Sequence, residues 1–318
     1  MQNNQSRKLA HGAMMVALFT VLMAIVFYVP LANIIAMLFA PLPIIWYSAT
    51  YDRKSSLLVA IIAVIITFFI GGLLILPSSL IFAAAGIAIG NALFNKKSKV
   101  YMFLSTSVVL LITFAIQYVV SVKFFEIDFI RESLDLMRSS YIESIKMAEK
   151  ISGQATSQEM LDNLNNMLDT LEMVIPASVT LAVLLLSLLL ITVNLPLLKR
   201  FKVDVPRFSK FSEMRLPRAV LWYYLIALSI NLFVKPEANS TFAMVMLNIS
   251  MILWVLLTVQ GISFIHFALD AFKQPKFLKV ISTLIAIPFY SFVILIGIID
   301  LGFNARDYIR LKNQKKVF

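Results

Sequence analysis

The sequence predicts an all-α fold: a polytopic transmembrane helical bundle of eight or nine hydrophobic helices, with an extracytoplasmic amphipathic helical hairpin. Three observations carry that expectation. First, 60% of the 318 residues are hydrophobic and only 14% are charged, and the mean hydropathy is +0.88, more apolar surface than a soluble core can hide. Second, the apolar residues come in runs of about 20, the length at which a helix spans a hydrocarbon layer of roughly 30 Å. Third, the runs lack the period-two alternation of a membrane barrel, and lipid offers the backbone no hydrogen-bond partners, which leaves helices.

The first run, 9–29, follows only "MQNNQSRK" and shows no small-residue cleavage site, so a retained helix is expected. Pro30 separates it from a second run at 31–50; Gly71, Gly72 and Pro77 part the third (55–75) from the fourth (77–94), and "NKKSK" closes the fourth. A fifth run at 100–122 completes a first block of five transmembrane helices, 1–122. The C-terminal block, 173–303, holds runs at 173–194, 218–234, 241–268 and 279–303, and a basic tail, 304–318, ends the chain.

Between the blocks lies an insertion, 123–172, with five cations and ten acids. Ile130, Leu134, Met137, Tyr141 and Ile145 recur at helical spacing, as do Leu161, Leu164, Leu168 and Leu171, so two amphipathic helices are expected. Gly153 is a natural break, and Thr156 with Glu159 resembles a capping box opening a second helix that bends near Pro176 as it enters the membrane.

Short basic loops set the expected orientation. Arg7 and Lys8, then Arg53 and Lys54, then Lys96, Lys97 and Lys99 mark alternate loops, and seven cations from Lys199 to Arg218 face only Asp204 and Glu213. By the positive-inside rule these loops and the N-terminus are cytoplasmic, and 123–172 is extracytoplasmic. The tail resists this scheme. Nine crossings would leave it outside although Arg306, Arg310, Lys312, Lys315 and Lys316 oppose only Asp307, so either eight or nine crossings fit, with 218–234 the shortest run and the one to omit. The net charge of +11 is therefore assigned to the bilayer surface and not to nucleic acid.

No catalytic constellation is visible. Cysteine is absent, only His11 and His266 are available, and neither a zinc-hydrolase signature nor a phosphate loop occurs. Ser263 and His266 share a helix face, but no third residue orients the histidine. The chain is expected to be no enzyme and to need no metal or cofactor.

Binding candidates come from polar and small residues inside the apolar runs. Asn91, Gln117, Asn194, Asn231, Asn248 and Gln260 each bury an amide that must find a partner. Gly86 and Gly90, four apart, let a neighbouring backbone or a ligand come close. The expected ligand-binding residues for a small molecule are Gly86, Gly90, Asn91, Gln117 and Gln260, the first four around a cavity opening outward; Ala13 and Ala17 form a second close-packing pair, expected to take a partner helix.

The stretches "AMMVALFTVLMAIVFYVP", "APLPIIWYSATYDRKSSLLVAIIA", "LTVQGISFIHFAL" and "GIIDLGFNARD" resemble the YybS-like integral membrane proteins of Gram-positive bacteria, an uncharacterised family. That family is distantly similar to the substrate-binding S components of energy-coupling factor transporters over about residues 9–194. The resemblance implies a cell-membrane subunit for small-molecule binding or transport, in which Ala13 and Ala17 meet a coupling membrane protein. The alternative is a non-enzymatic scaffold or regulator that binds another membrane protein.

Overall fold

The computed structural model describes residues 2–152, 158–206, 210–234, 240–303 and 305–314, and among these every regular element is a helix. In chain order they are α1 (Gln2–Tyr28), α2 (Ala32–Phe39), α3 (Leu42–Thr50), α4 (Arg53–Phe94), α5 (Lys99–Phe124), α6 (Phe129–Ser152), α7 (Gln158–Arg200), α8 (Ala219–Phe233), α9 (Thr241–Ala271), α10 (Phe277–Ala286), α11 (Tyr290–Phe303) and α12 (Ala305–Gln314), with a 3-10 turn at Phe211–Glu213 before α8. Six helical stretches among the described residues are long and apolar enough to cross a membrane, or seven if α10 and α11 count as one. Gly153 and Thr156, proposed to break and cap the insertion, lie outside the described residues, as does the side chain of Glu159.

The chain forms two compact units. One comprises residues 1–135 and 180–207, the other 136–179 and 208–318. In the first, the predicted third and fourth runs are one helical stretch of 42 residues, interrupted by a non-helical Gly72 at φ 64°, ψ −150°. Only glycine adopts that conformation cheaply. A straight helix of this length would measure about 63 Å, twice the hydrocarbon layer, but its neighbours show that it folds back. The half before Gly72 runs beside α1 in the same direction, with Lys8 paired to Asp52 at one end and the Tyr28 hydroxyl donating to the Ile70 carbonyl at the other (2.8 Å). The half after Gly72 runs with α3, which itself lies against the start of α1 through Tyr47 and Lys8. The double glycine thus acts as the separator that the sequence indicated.

Two other runs depart from expectation. The run at 31–50 is broken into α2 and α3 at Ala40 and Pro41, because proline withholds an amide proton and crowds the preceding turn. The run at 279–303 is broken around Pro288 into α10 and α11, which meet at 112°. In the second unit α8 pairs with α9 in opposite directions: Asn231 donates to Ser250 (3.0 Å) near one end, and Val220 and Leu221 pack by Leu257 near the other.

Each unit wears much of its apolar surface outside. On α5 the exposed residues Leu104, Val108, Ile112 and Ile116 follow one another every four positions, and Phe69 and Leu74 flanking the Gly72 turn are about four-fifths exposed. Such stripes make sense against lipid, where the helix interior has already satisfied the backbone.

Candidate functional site

The glycine pair that opens the question of a ligand is filled by a helix. A Cβ at Gly86 would stand 2.6 Å from Cβ of Ile44, and one at Gly90 would stand 2.6 Å from the Ile45 carbonyl oxygen. Both glycines are therefore spacers that seat α3 against the second half of α4. The other proposed ligand residues are not gathered around them. Asn91 is engaged by the Asn95 side chain (2.7 Å to its carbonyl, 3.1 Å to its Oδ1), and Gln117 donates to the Pro77 carbonyl (3.1 Å). Gln260 belongs to the second unit, where its side chain bonds Asp300 and the Leu216 amide.

The membrane amides work between helices. Asn194 donates to the Leu38 carbonyl (2.9 Å) near the end of α2 as well as to the Leu190 carbonyl of its own helix (2.8 Å). Asn248 inserts its amide into α7 just after Pro176: it accepts from the Ala177 amide and donates to the Met173 carbonyl, both at 2.7 Å. These are the two groups that a regular helix would bond to each other.

The remaining sequence candidates, Ala13 and Ala17, do meet open space. They are exposed on α1 and line a groove of about 830 Å³ between α1 and the first half of α4, within the size range of ligand sites. Gly12, Val16 and Thr20 continue its α1 wall, and Leu58, Ile62 and Ile66 form the facing one. The Thr20 side chain is only 7% exposed and its hydroxyl has no hydrogen-bond partner among the described residues. An orphan hydroxyl within an apolar slot costs free energy that an occupant with an acceptor would return.

The polar end of the groove is built by Lys8, Tyr47 and Ser55. Asp52 organises it. Its carboxylate caps α4 by accepting from the Ser55 amide (3.1 Å) and pairs with Lys8. The Lys8 ammonium and the Ser55 amide hold the acid down at about 2. Close by, His11 Nδ1 lies 2.7 Å from the Tyr51 hydroxyl and its ring meets Trp46 edge-on.

The second unit contains a polar cluster that sequence reasoning missed. Asp300, near the end of an apolar run, is fully buried, because α11 ends against the 3-10 turn and α12 folds back over it. Arg306 straddles its carboxylate (Nε to the two oxygens at 3.1 and 3.0 Å, Nη2 at 2.8 Å) and also donates to the Ser212 carbonyl (2.8 Å) and Ser263 Oγ (3.1 Å). Gln260 donates to Asp300 and accepts from the Leu216 amide (2.8 Å). Every charge is matched, which makes this cluster a lock joining the 210–218 segment, α9, α11 and α12. Ser263 is spent within it, and His266 bonds Thr283 (2.9 Å) and the Lys279 carbonyl (3.1 Å), so the two residues make no serine–histidine pair.

Gly261 and Gly297 allow the lock to close. A Cβ on Gly261 would stand 2.7 Å from Val293 Cγ1, and one on Gly297 3.2 Å from the Gly261 nitrogen. The signal was present in the sequence: "LTVQGISFIHFAL" and "GIIDLGFNARD", two of the stretches that carry the family resemblance, hold Gln260, Gly261, Ser263, Gly297 and the Asp300–Arg306 pair.

Comparison with known proteins agrees with the resemblance to the YybS-like family. A family described as a predicted membrane protein, DUF2232, matches residues 17–301. The uncharacterized protein YybS of Bacillus subtilis (strain 168) is 27% identical over 310 residues, which cover 96% of this chain and 99% of the relative. No solved structure matches.

Proposed function

This chain belongs to the DUF2232 family of predicted membrane proteins, and from that premise we propose that it is a non-enzymatic subunit of the cell membrane that works by docking a helix of another membrane protein. Its N-terminus is cytoplasmic and the 123–172 insertion is extracytoplasmic, as the basic loops require. The docking site is the groove between α1 and α4. The single observation that carries the reading is that Ala13 and Ala17, small residues four apart, face this open groove, whereas the comparable Gly86 and Gly90 are already covered by α3. Close approach of backbones is what drives helix association in lipid, where no hydrophobic effect operates between helices. Thr20, one further turn along, supplies an unsatisfied hydroxyl to the incoming helix. An S-component-like arrangement, a binding or transport subunit held by a coupling partner, is the form of assembly that fits this geometry.

A scaffold or regulator is the second reading. What favours it is the outer helix α6, where Leu136, Met147 and Ile151 are 65% or more exposed. The identity of the docked protein decides between the two.

The cysteine-free chain permits a direct test. Single substitutions Ala13→Cys and Ala17→Cys, and Leu18→Cys on the exposed flank, are each coupled in native membranes to a short photo-crosslinker. Adducts with one membrane protein are expected from positions 13 and 17 and not from 18. Equal adducts from all three, or adducts with lipid alone, would remove the docking site. Recovery of a coupling ATPase complex supports the transport form, and of any other membrane protein the scaffold form.

A further inference from the structure

The second unit reveals which side its tail must occupy and what that side is built to touch. Four contacts gather the 210–218 segment, the last turns of α9, the start of α10 and the start of α12 at one end. Arg306 reaches the Ser212 carbonyl, Arg215 reaches the Asp300 carbonyl (3.2 Å), His266 reaches Thr283, and Lys279 pairs with Asp270 at 2.5 Å. The bent pair α10–α11 leaves this end beside residues 266–270 of α9. It penetrates only to Gly261 and Leu257, against which Val293 and Gly297 pack. That depth is about 15–20 Å from the end of α9 at the helical rise, short of a roughly 30 Å hydrocarbon layer. It then returns, since Asp300 meets Gln260 and Arg306 meets Ser263, with its guanidinium over the Phe267 ring at 5.3 Å. Both ends of α10–α11 thus lie at the same end of α9.

That end is strongly cationic. Lys210, Arg215, Arg218, Lys273, Lys276 and Arg310 stand there, and of the nearby acids Asp270 and Asp300 are taken by Lys279 and Arg306, leaving Glu213 and Asp307. The cations sit at the mouths of apolar helices. Arg218 immediately precedes α8, Lys273 follows α9 by two residues, and Lys276 immediately precedes α10. Tyr308, 69% exposed, adds an aromatic ring of the kind that settles at an interface.

We propose that α10–α11 is a re-entrant pair, so that 279–303 and not 218–234 is the run that does not cross, that α12 lies on the cytoplasmic side after eight crossings, and that this cationic end of the second unit binds the anionic headgroups of the inner leaflet. The inference rests on the membrane reading and is independent of the α1–α4 groove. Cations fixed at the ends of spanning helices stand at headgroup depth, where lipid phosphates are the anions within reach, and the attraction weakens with salt. A nucleic acid or an acidic protein would need these charges displayed beyond the headgroups.

Two measurements on the full chain test it. Tyr308→Cys is treated with a membrane-impermeant maleimide in oriented vesicles, beside Lys96→Cys and Glu126→Cys as markers of the two sides. Labelling of position 308 together with 96, in inside-out vesicles alone, is expected; labelling together with 126 would overturn the topology. Purified protein is then melted in micelles containing phosphatidylglycerol or phosphatidylcholine. An upward shift in Tm specific to phosphatidylglycerol is expected, falling by roughly half or more in Lys210→Gln/Lys273→Gln/Lys276→Gln and abolished by high salt. The triple variant should melt like the parent in phosphatidylcholine, which shows that it folds. Equal shifts from both lipids, or a full shift in the triple variant, would overturn the headgroup site.

Discussion

At Asp52 one carboxylate does two jobs, and substitution can separate them. It caps α4 through the Ser55 amide and it pairs with Lys8 across to α1. Its folded value of about 2 lies below the ordinary value of about 3.9, so the unfolded chain takes up the proton first on acidification. The stabilisation is therefore complete above about pH 4 and is lost as pH falls through about 2. Asp52→Asn keeps a good capping side chain and loses only a half-exposed ion pair, so its unfolding free energy should fall by less than about 1 kcal/mol. Asp52→Ala loses the cap as well and should cost about 0.5–2 kcal/mol. Thermal unfolding in detergent between pH 2 and 7 reads both effects; equal losses in the two variants would show that the ion pair, not the cap, matters. The loop was legible in the sequence as a topological signal through Arg53 and Lys54, but the capping role of Asp52 was not, because it depends on the backbone of α4 turning at that residue.

Between elements, the least legible features are side chains that serve a helix far away in sequence. Pro176 announces a defect in α7, as the sequence reading held. Nothing near it announces that the partner is Asn248, 71 residues downstream of Ala177, on α9. Asn248→Leu should strand the Ala177 amide and the Met173 carbonyl and cost roughly 1–3 kcal/mol. Pro176→Ala should let those two groups bond to each other, so in that background the same Asn248→Leu change should cost distinctly less. A double-mutant cycle by thermal or denaturant unfolding measures the difference; equal costs in both backgrounds would mean that Asn248 acts elsewhere. The breaks themselves divide by the same logic. Gly71–Gly72 was readable because glycine is rare inside these runs. The breaks at Pro41 and Pro288 were masked by uninterrupted apolarity on both sides, which hydropathy cannot distinguish from a continuous span. The Asp300–Arg306 lock was hidden for a related reason: proximity to a helix end looks like access to water until the chain folds back over it.

Taken whole, the molecule was most legible in what it must be immersed in and least legible in what it holds. Composition and run length already demanded lipid. The structure adds how the exposure is arranged: Met14, Leu18 and Val21 on α1, Leu57, Ile61 and Ile65 on α4, and the every-fourth-residue stripe on α5 all face outward. Of the residues that the sequence singled out, Ala13 and Ala17 line a groove, while Gly86, Gly90, Asn91, Gln117 and Gln260 each contact other residues of the chain. Surface cations and buried spans predict different behaviour on extraction. Attraction between basic loops and headgroups is screened within about 10 Å at 0.1 M salt and shorter distances above it, so a chain held by charge alone would leave the membrane in concentrated salt or alkaline carbonate. A chain whose apolar helices span the bilayer cannot, because stripping it into water would expose every outward stripe at once, far beyond the few hundred Å² that soluble monomers tolerate. The full-length protein should therefore stay in the pellet through both washes and appear in the supernatant only with detergent. Monodisperse protein in a detergent-free supernatant would contradict the spanning helices, and with them the orientation assigned to both the groove and the cationic end.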